Sequence, residues 1–131
     1  RKAGMYFDYP SCCIDYYNQV LQINPELWAV KIHESSGNGP YPYQANRLAT
    51  GWGGIAFTAE LFPCSLFCES AIKIGETNEQ SLKKLGLSKL AEKITKHSLS
   101  SCILNRNGSV NRLIEGRVVQ DHEILLDFYK K

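Results

Sequence analysis

The stretch SCILNRNGSVNRLIEGRVV, residues 101–119, decides the fold. Ser101 to Asn105 reads as a strand, Asn107 and Gly108 form the dipeptide preferred in tight hairpin turns, and Val110 to Ile114 is the returning strand. Glu115 and Gly116 turn the chain again into Val118 and Val119, and Ile124 to Tyr129 extends the antiparallel meander. The sequence before this stretch has helical periods instead. Helices followed by consecutive strands predict a single α+β domain over residues 1–131, with N-terminal helices packed on a small C-terminal antiparallel sheet, a β-meander.

Working towards the N-terminus, Leu87, Leu90, Ala91 and Ile94 follow Gly86 at helical spacing, and Thr77 with Gln80 reads as a capping box for a helix carrying Leu82 and Leu85. Gly75 is the expected stop of a preceding helix. Ile55 to Phe62 is apolar enough for a short buried strand or the approach to a helix, and Pro63 marks a change of direction. Residues 35–54 are rich in breakers, with Gly37, Gly39, Pro40 and Pro42 followed by Gly51, Gly53 and Gly54 around Trp52. A connection this long more often carries function than filler. Within it Tyr43 to Thr50 reads as a short helix with Ala45, Leu48 and Ala49 facing inward. Asn24, Pro25 and Glu26 are an N-cap, a first helical residue and a dipole-matching carboxylate for a helix through Leu27, Trp28 and Val30 to about Glu34. A first helix begins after Tyr9 and Pro10, with Ser11 as its cap and Cys13, Tyr16, Tyr17, Val20 and Leu21 along one side.

The chemistry lies in the sulfur. Of five cysteines, four come as two pairs, Cys12 with Cys13 and Cys64 with Cys68, each where a helix is expected to start. The positive end of the helix dipole and its free N–H groups favour thiolate there. On a helix, Cys64 and Cys68 share one face, which Ile72 continues. An odd cysteine count with an adjacent pair makes a poor disulfide framework, so a reducing, cytoplasmic setting with metal binding or catalysis is the expectation.

Cys12, Cys13, Cys64 and Cys68 supply the ligand number of tetrahedral zinc or of an iron–sulfur cluster, and the leading expectation is a metal-binding protein that assists electron or sulfur transfer. Neighbouring side chains in a helical turn point about 100° apart, which favours the cluster, whose irons are separated, over one small zinc ion. Tyr9, Ser65 and the glycine-rich loop are the candidate pocket or supporting residues. Two other readings stand beside this one. In one a helix-start cysteine acts as a thiol-redox nucleophile with another resolving the mixed disulfide, and in the other the sulfurs simply pack as small apolar groups in an interaction module. Cys102, beside Ile103 and Leu104, reads as core.

Other classes of function find less support. The 131 residues carry 44% hydrophobic and 21% charged residues at a net charge of +2, ordinary for a folded domain. The basic residues form only doublets, so no nucleic-acid partner is expected; no apolar run is long enough to span a membrane, leaving an unknown small molecule or protein as partner. His33 and His97 fall near helix ends, where a cation suits the dipole, and His122 reads as an exposed turn residue. Ser65 and Ser70 lie in no nucleophile elbow, and the glycines around Trp52 lack the lysine and spacing of a phosphate loop. Tyr6, Tyr9, Tyr16, Tyr17, Tyr41 and Tyr43 gather near the first pair and the long connection, either around a ligand pocket or in the core.

Tyr9-Pro10-Ser11-Cys12-Cys13, Pro63-Cys64-Ser65 with Cys68 and Ser70, and the Asn107-Gly108 hairpin together resemble a small uncharacterised family of prokaryotic proteins with these cysteine signatures. The resemblance spans most of the chain and implies that the two pairs belong to one arrangement. It implies no activity. Where a histidine is expected shortly before Pro63, this chain has Leu61 and Phe62, which argues against a histidine completing the site.

Overall fold

A computed structural model describes residues 9–23, 25–50 and 56–119. Helix α1 spans Ser11–Tyr16 and widens into a π-helical turn, Tyr17–Leu21, closed by the Gln22 N–H donating to the Tyr17 carbonyl at 2.8 Å. A 3-10 turn, Pro25–Leu27, leads into α2, Trp28–Ser36. A second 3-10 turn, Tyr43–Ala45, precedes the short α3, Arg47–Thr50. The long helix α4 is Glu69–Lys84 and α5 is Ser88–Ser98. Strands β1 (Ser101–Leu104), β2 (Val110–Ile114) and β3 (Arg117–Val119) then form an antiparallel sheet in the order β1-β2-β3. This is the α+β architecture expected. Asn24, the glycines around Trp52, His122 and the strand placed at Ile124 to Tyr129 lie outside the described residues. Among the described residues no helix is long and apolar enough to cross a membrane.

Among the described residues the helices bury their apolar sides in three clusters, and the first reaches the sheet. Leu21, Trp28, Ala29, Ile32, Leu48, Phe62 and Leu66 meet Val110 of β2, with Cys102 and Leu104 of β1 packed alongside. Cys102 is thus half-buried against the core, as its strand context indicates. A buried cation fastens the same joint. Arg112 is fully buried on β2 and donates to the Val110 carbonyl at 2.9 Å and the Leu48 carbonyl at 2.7 Å, so its charge-bearing fork is satisfied by backbone oxygens.

Five local expectations change. The first helix starts on Pro10, whose carbonyl takes the N–H groups of Cys13 and Ile14 at 3.1 and 3.0 Å; Ser11 is its first residue, not its cap. Gly75 ends nothing. Helix α4 runs through it and through Thr77, whose hydroxyl bonds back to the Lys73 carbonyl at 2.9 Å instead of capping a new helix. A Cβ at Gly75 would collide with the Gln44 backbone, so the glycine admits a close crossing of α4 over the Tyr43–Ala45 turn. The true stop is Gly86, with φ of 79°.

Of the stretch read as a short strand or the approach to a helix, Phe57 to Glu60 form a turn and the described residues hold no strand, with Ala59 N–H on Ala56 and Leu61 N–H on Thr58 at 2.9 and 3.0 Å. In the first hairpin Gly108 alone takes positive φ, and the Asn107 side chain accepts the Ser109 N–H at 3.0 Å, giving a longer loop than a two-residue turn. The two-residue turn with both central φ values positive is Glu115-Gly116, at 53° and 76°.

Candidate metal centre

Helix α1 presents the first sulfur pair directly. Pro10 lacks an N–H and has extended backbone before the first turn, so the carbonyl that starts the helix also fixes the exit of Cys12 and Cys13. Cys13 turns inward, 1% exposed, into a cluster with Ala45, Leu61 and Ala71; Cys12 stays exposed.

The second pair is not on a common helix face. Cys68 is the residue immediately before α4 and Cys64 lies in the irregular turn preceding it, closed by the Cys68 N–H on the Ser65 carbonyl at 3.0 Å. The end of α2 holds this turn. Ser35 Oγ donates to the Cys64 carbonyl at 2.6 Å, and Ser36 Oγ accepts the Leu66 N–H at 2.9 Å while donating to the Ile32 carbonyl at 2.6 Å. Leu66 is fully buried, and Phe67, more exposed, meets Tyr41 edge-on with ring centroids 5.4 Å apart. Sequence reading placed Ser35 and Ser36 only at the mouth of a loop. A serine pair in the last turn of a helix was the one available sign that carbonyls and N–H groups from elsewhere would be met there.

The fold brings the four sulfurs together. Cys12, Cys13, Cys64 and Cys68 have Sγ atoms within 4.8 Å of one another, and this grouping contains no histidine or carboxylate. Cys12, Cys13 and Cys68 form a triangle with sides of 3.9, 3.8 and 3.8 Å. All are free thiols. The Cys64 N–H donates to Cys13 Sγ at 3.4 Å, so backbone from the second pair already recognises sulfur of the first. Four close cysteines so arranged could hold a metal ion.

Electrostatics explains why a cation suits this place. Burial, and then the neighbouring sulfurs, push the Cys13 thiol up, against the opposing Cys64 N–H. Burial and the Cys12 and Cys68 thiols push Cys64 up to about 12. Burial also acts on Cys68, but the Ala71 N–H and hydrogen bonds from the other three cysteines outweigh it and bring that thiol down. One sulfur can ionise while its neighbours serve as donors. Ionising all four needs a positive charge among them.

Tyr9 packs against the Cys13 cluster, and burial with nearby Glu60 raises its phenol while Arg47 opposes them. Arg47 is buried, its guanidinium 4.5 Å from the Phe62 ring centre, and desolvation brings it down to about 10. Ser65 serves the turn: its Oγ accepts the Phe67 N–H at 3.1 Å. His33 lies in the last turn of α2, and His97 is buried at the end of α5 with 3% exposure, a core position its helix-end context did not reveal. Compared with models of protein families, with curated proteins and with solved structures, the chain matches none.

Proposed function

We propose that this chain is a metal-binding domain whose Cys12, Cys13, Cys64 and Cys68 hold one zinc ion in a closed tetrahedral site. The observation that carries the reading is the sulfur spacing. Four thiolates at about 2.3 Å from one zinc stand about 3.8 Å apart along every edge of the tetrahedron. The Cys12–Cys13–Cys68 triangle, with sides of 3.9, 3.8 and 3.8 Å, has that edge, and Cys64 lies within 4.8 Å of all three. Thiolates on different irons of a cluster must stand farther apart, because inorganic sulfide bridges lie between the metals. The spacing therefore favours zinc over the iron–sulfur cluster that the vicinal pair suggested.

A site with four protein thiolates leaves no position for water or substrate, so its contribution is to tie α1 to the turn before α4 and to hold reactive sulfur, not to act as a Lewis acid. Tyr9 covers the buried side beside Cys13, and Ser65 keeps the turn that spaces Cys64 from Cys68.

Anaerobic purification followed by elemental analysis tests this. One zinc per chain with neither sulfide nor visible absorption is expected, and cobalt exchange should give the intense sulfur-to-metal and ligand-field bands of a tetrahedral four-thiolate site. Stoichiometric iron with labile sulfide would replace the zinc reading by the cluster. A folded protein that binds no metal and carries a redox-active thiol pair would replace it by thiol chemistry.

A further inference from the structure

Resting on the zinc reading, we propose that the same centre is an oxidation site for hydroperoxides, in which Cys12 is the sulfur oxidised first and Cys68 the one that resolves it, expelling the metal. The four sulfurs are chemically alike but differently placed. Cys13 is 1% exposed, covered by Ala45, Leu61 and Ala71, whereas Cys12 is exposed on the outer side of the first turn of α1. A metal-bound thiolate remains a nucleophile, and an oxidant must approach the sulfur itself, so access selects Cys12.

Geometry then selects the partner. Cys68 lies 3.8 Å from Cys12 on the exposed side of the cluster. Cys13 is equally near at 3.9 Å, but a disulfide between chain neighbours closes a ring through their own peptide bond and strains its planar trans form, and here it would also distort the first turn of α1. Joining Cys12 to Cys68 asks only that sulfurs 3.8 Å apart close to about 2.05 Å. Cys68 is held at the start of α4 by its N–H on the Ser65 carbonyl and by the Ile72 N–H on its own carbonyl, so its sulfur closes on Cys12 by side-chain rotation and not by backbone movement.

The steps balance. The Cys12 thiolate attacks the terminal oxygen of the hydroperoxide; the S–O bond forms, the O–O bond breaks, and the departing alkoxide or hydroxide takes a proton from water. The Cys68 thiolate then attacks Cys12 Sγ, the S–S bond forms, the S–O bond breaks, and hydroxide leaves. Two electrons pass from the sulfur pair to the peroxide, which is reduced to an alcohol, or for hydrogen peroxide to water, and water. Zinc keeps two of its four ligands, Cys13 and Cys64, and is released. The oxidised protein carries a cross-link between α1 and α4 where the metal had been.

The test uses the full chain, isolated with zinc under anaerobic conditions and exposed to hydrogen peroxide in the presence of a zinc-binding dye. One zinc released per chain in step with the loss of two titratable thiols, with the Cys12–Cys68 linked peptide as the main product by mass spectrometry, is the expected result. Thiol reductant plus zinc should restore the starting protein. Cys12→His keeps a fourth ligand but removes the attacking sulfur, and its zinc release should be at least about tenfold slower. Should that variant fail to load zinc, the linkage found in the unmodified protein decides alone. Zinc retained through excess peroxide, or released with a dominant Cys12–Cys13 or Cys64–Cys68 linkage, overturns the proposal while leaving the zinc site standing. A chain that isolates without metal and takes up none overturns both.

Discussion

Cys12 and Cys13 stand on the first turn of a helix, whereas Cys64 and Cys68 bracket an irregular turn that other parts of the chain hold in place. The first half is held by a helix start and apolar packing: the Pro10 carbonyl starts α1, and burial of Cys13 against Ala45, Leu61 and Ala71 fixes its rotation. The second half is borrowed, its carbonyl and N–H groups satisfied by Ser35 and Ser36 at the end of α2. A centre built this way rests on apolar packing on one side and on hydrogen bonds from a distant helix on the other. The two halves should respond differently to perturbation.

Removing the buried sulfur should have the largest effect. Cys13→Ser deletes a ligand and the acceptor of the Cys64 N–H together. With four thiolates sharing a zinc-binding free energy of roughly 12 kcal/mol, losing one costs about 3 kcal/mol, a hundredfold or more in metal affinity measured by competition with a chelating dye. Cys12→Ser, at the exposed position, should lose ligation alone and keep the higher melting temperature of the two metal-free variants. Equal losses of stability would contradict a buried, supporting role for Cys13.

Next in size is the joint between the halves. Gly75→Ala places a methyl group against the Gln44 backbone, forcing α4 away from the turn that supplies Ala45 to the Cys13 cluster. A loss of about 1–3 kcal/mol in urea unfolding is expected, with weakened metal binding. A neutral result would mean that the crossing is not close. Ser36→Ala should cost about 1–2 kcal/mol by leaving the Leu66 N–H without its acceptor. It should weaken metal affinity roughly tenfold, while Cys13 remains as slow as before towards alkylating reagents. Faster alkylation of Cys13 would show that the first half also depends on α2.

The smallest effect is the pH dependence of the metal-free protein. Cys13 and Cys64 are raised, so above about pH 8.5 the unfolded chain sheds thiol protons that these two retain when folded, and stability falls as pH rises. Cys68, lowered, acts in the opposite sense, its contribution being present above the unfolded thiol value and lost as pH falls through the folded one. Two raised thiols against one lowered leave a net decline above the unfolded thiol value, read as a falling urea midpoint between about pH 8.5 and 10 after chelator treatment. Zinc-loaded protein, its thiols already ionised, should show no such decline, and a rise in the metal-free sample would break the account.

The sequence alone determined the elements whose signals are local. The meander over residues 101–119, the helix starts before Cys13 and Trp28, and the helix after Gly86 follow from side-chain period and turn chemistry, energies settled within a few neighbouring residues. It also singled out the four cysteines that the fold groups, leaving Cys102 on its strand. Tertiary structure decided what a one-dimensional pattern does not contain. Gly75 looked like a helix end because a missing Cβ shows only that room is needed; the Gln44 backbone opposite shows for what. Nothing local to its strand marks Arg112 as buried; the Leu48 carbonyl, distant in sequence, joins the Val110 carbonyl in accepting from its guanidinium. The convergence of Cys12 and Cys13 with Cys64 and Cys68, and the close spacing of their sulfurs, likewise depend on how α2 grips a turn distant in sequence. Such contacts form only when the whole chain packs, because their energy belongs to pairs of segments and not to either one.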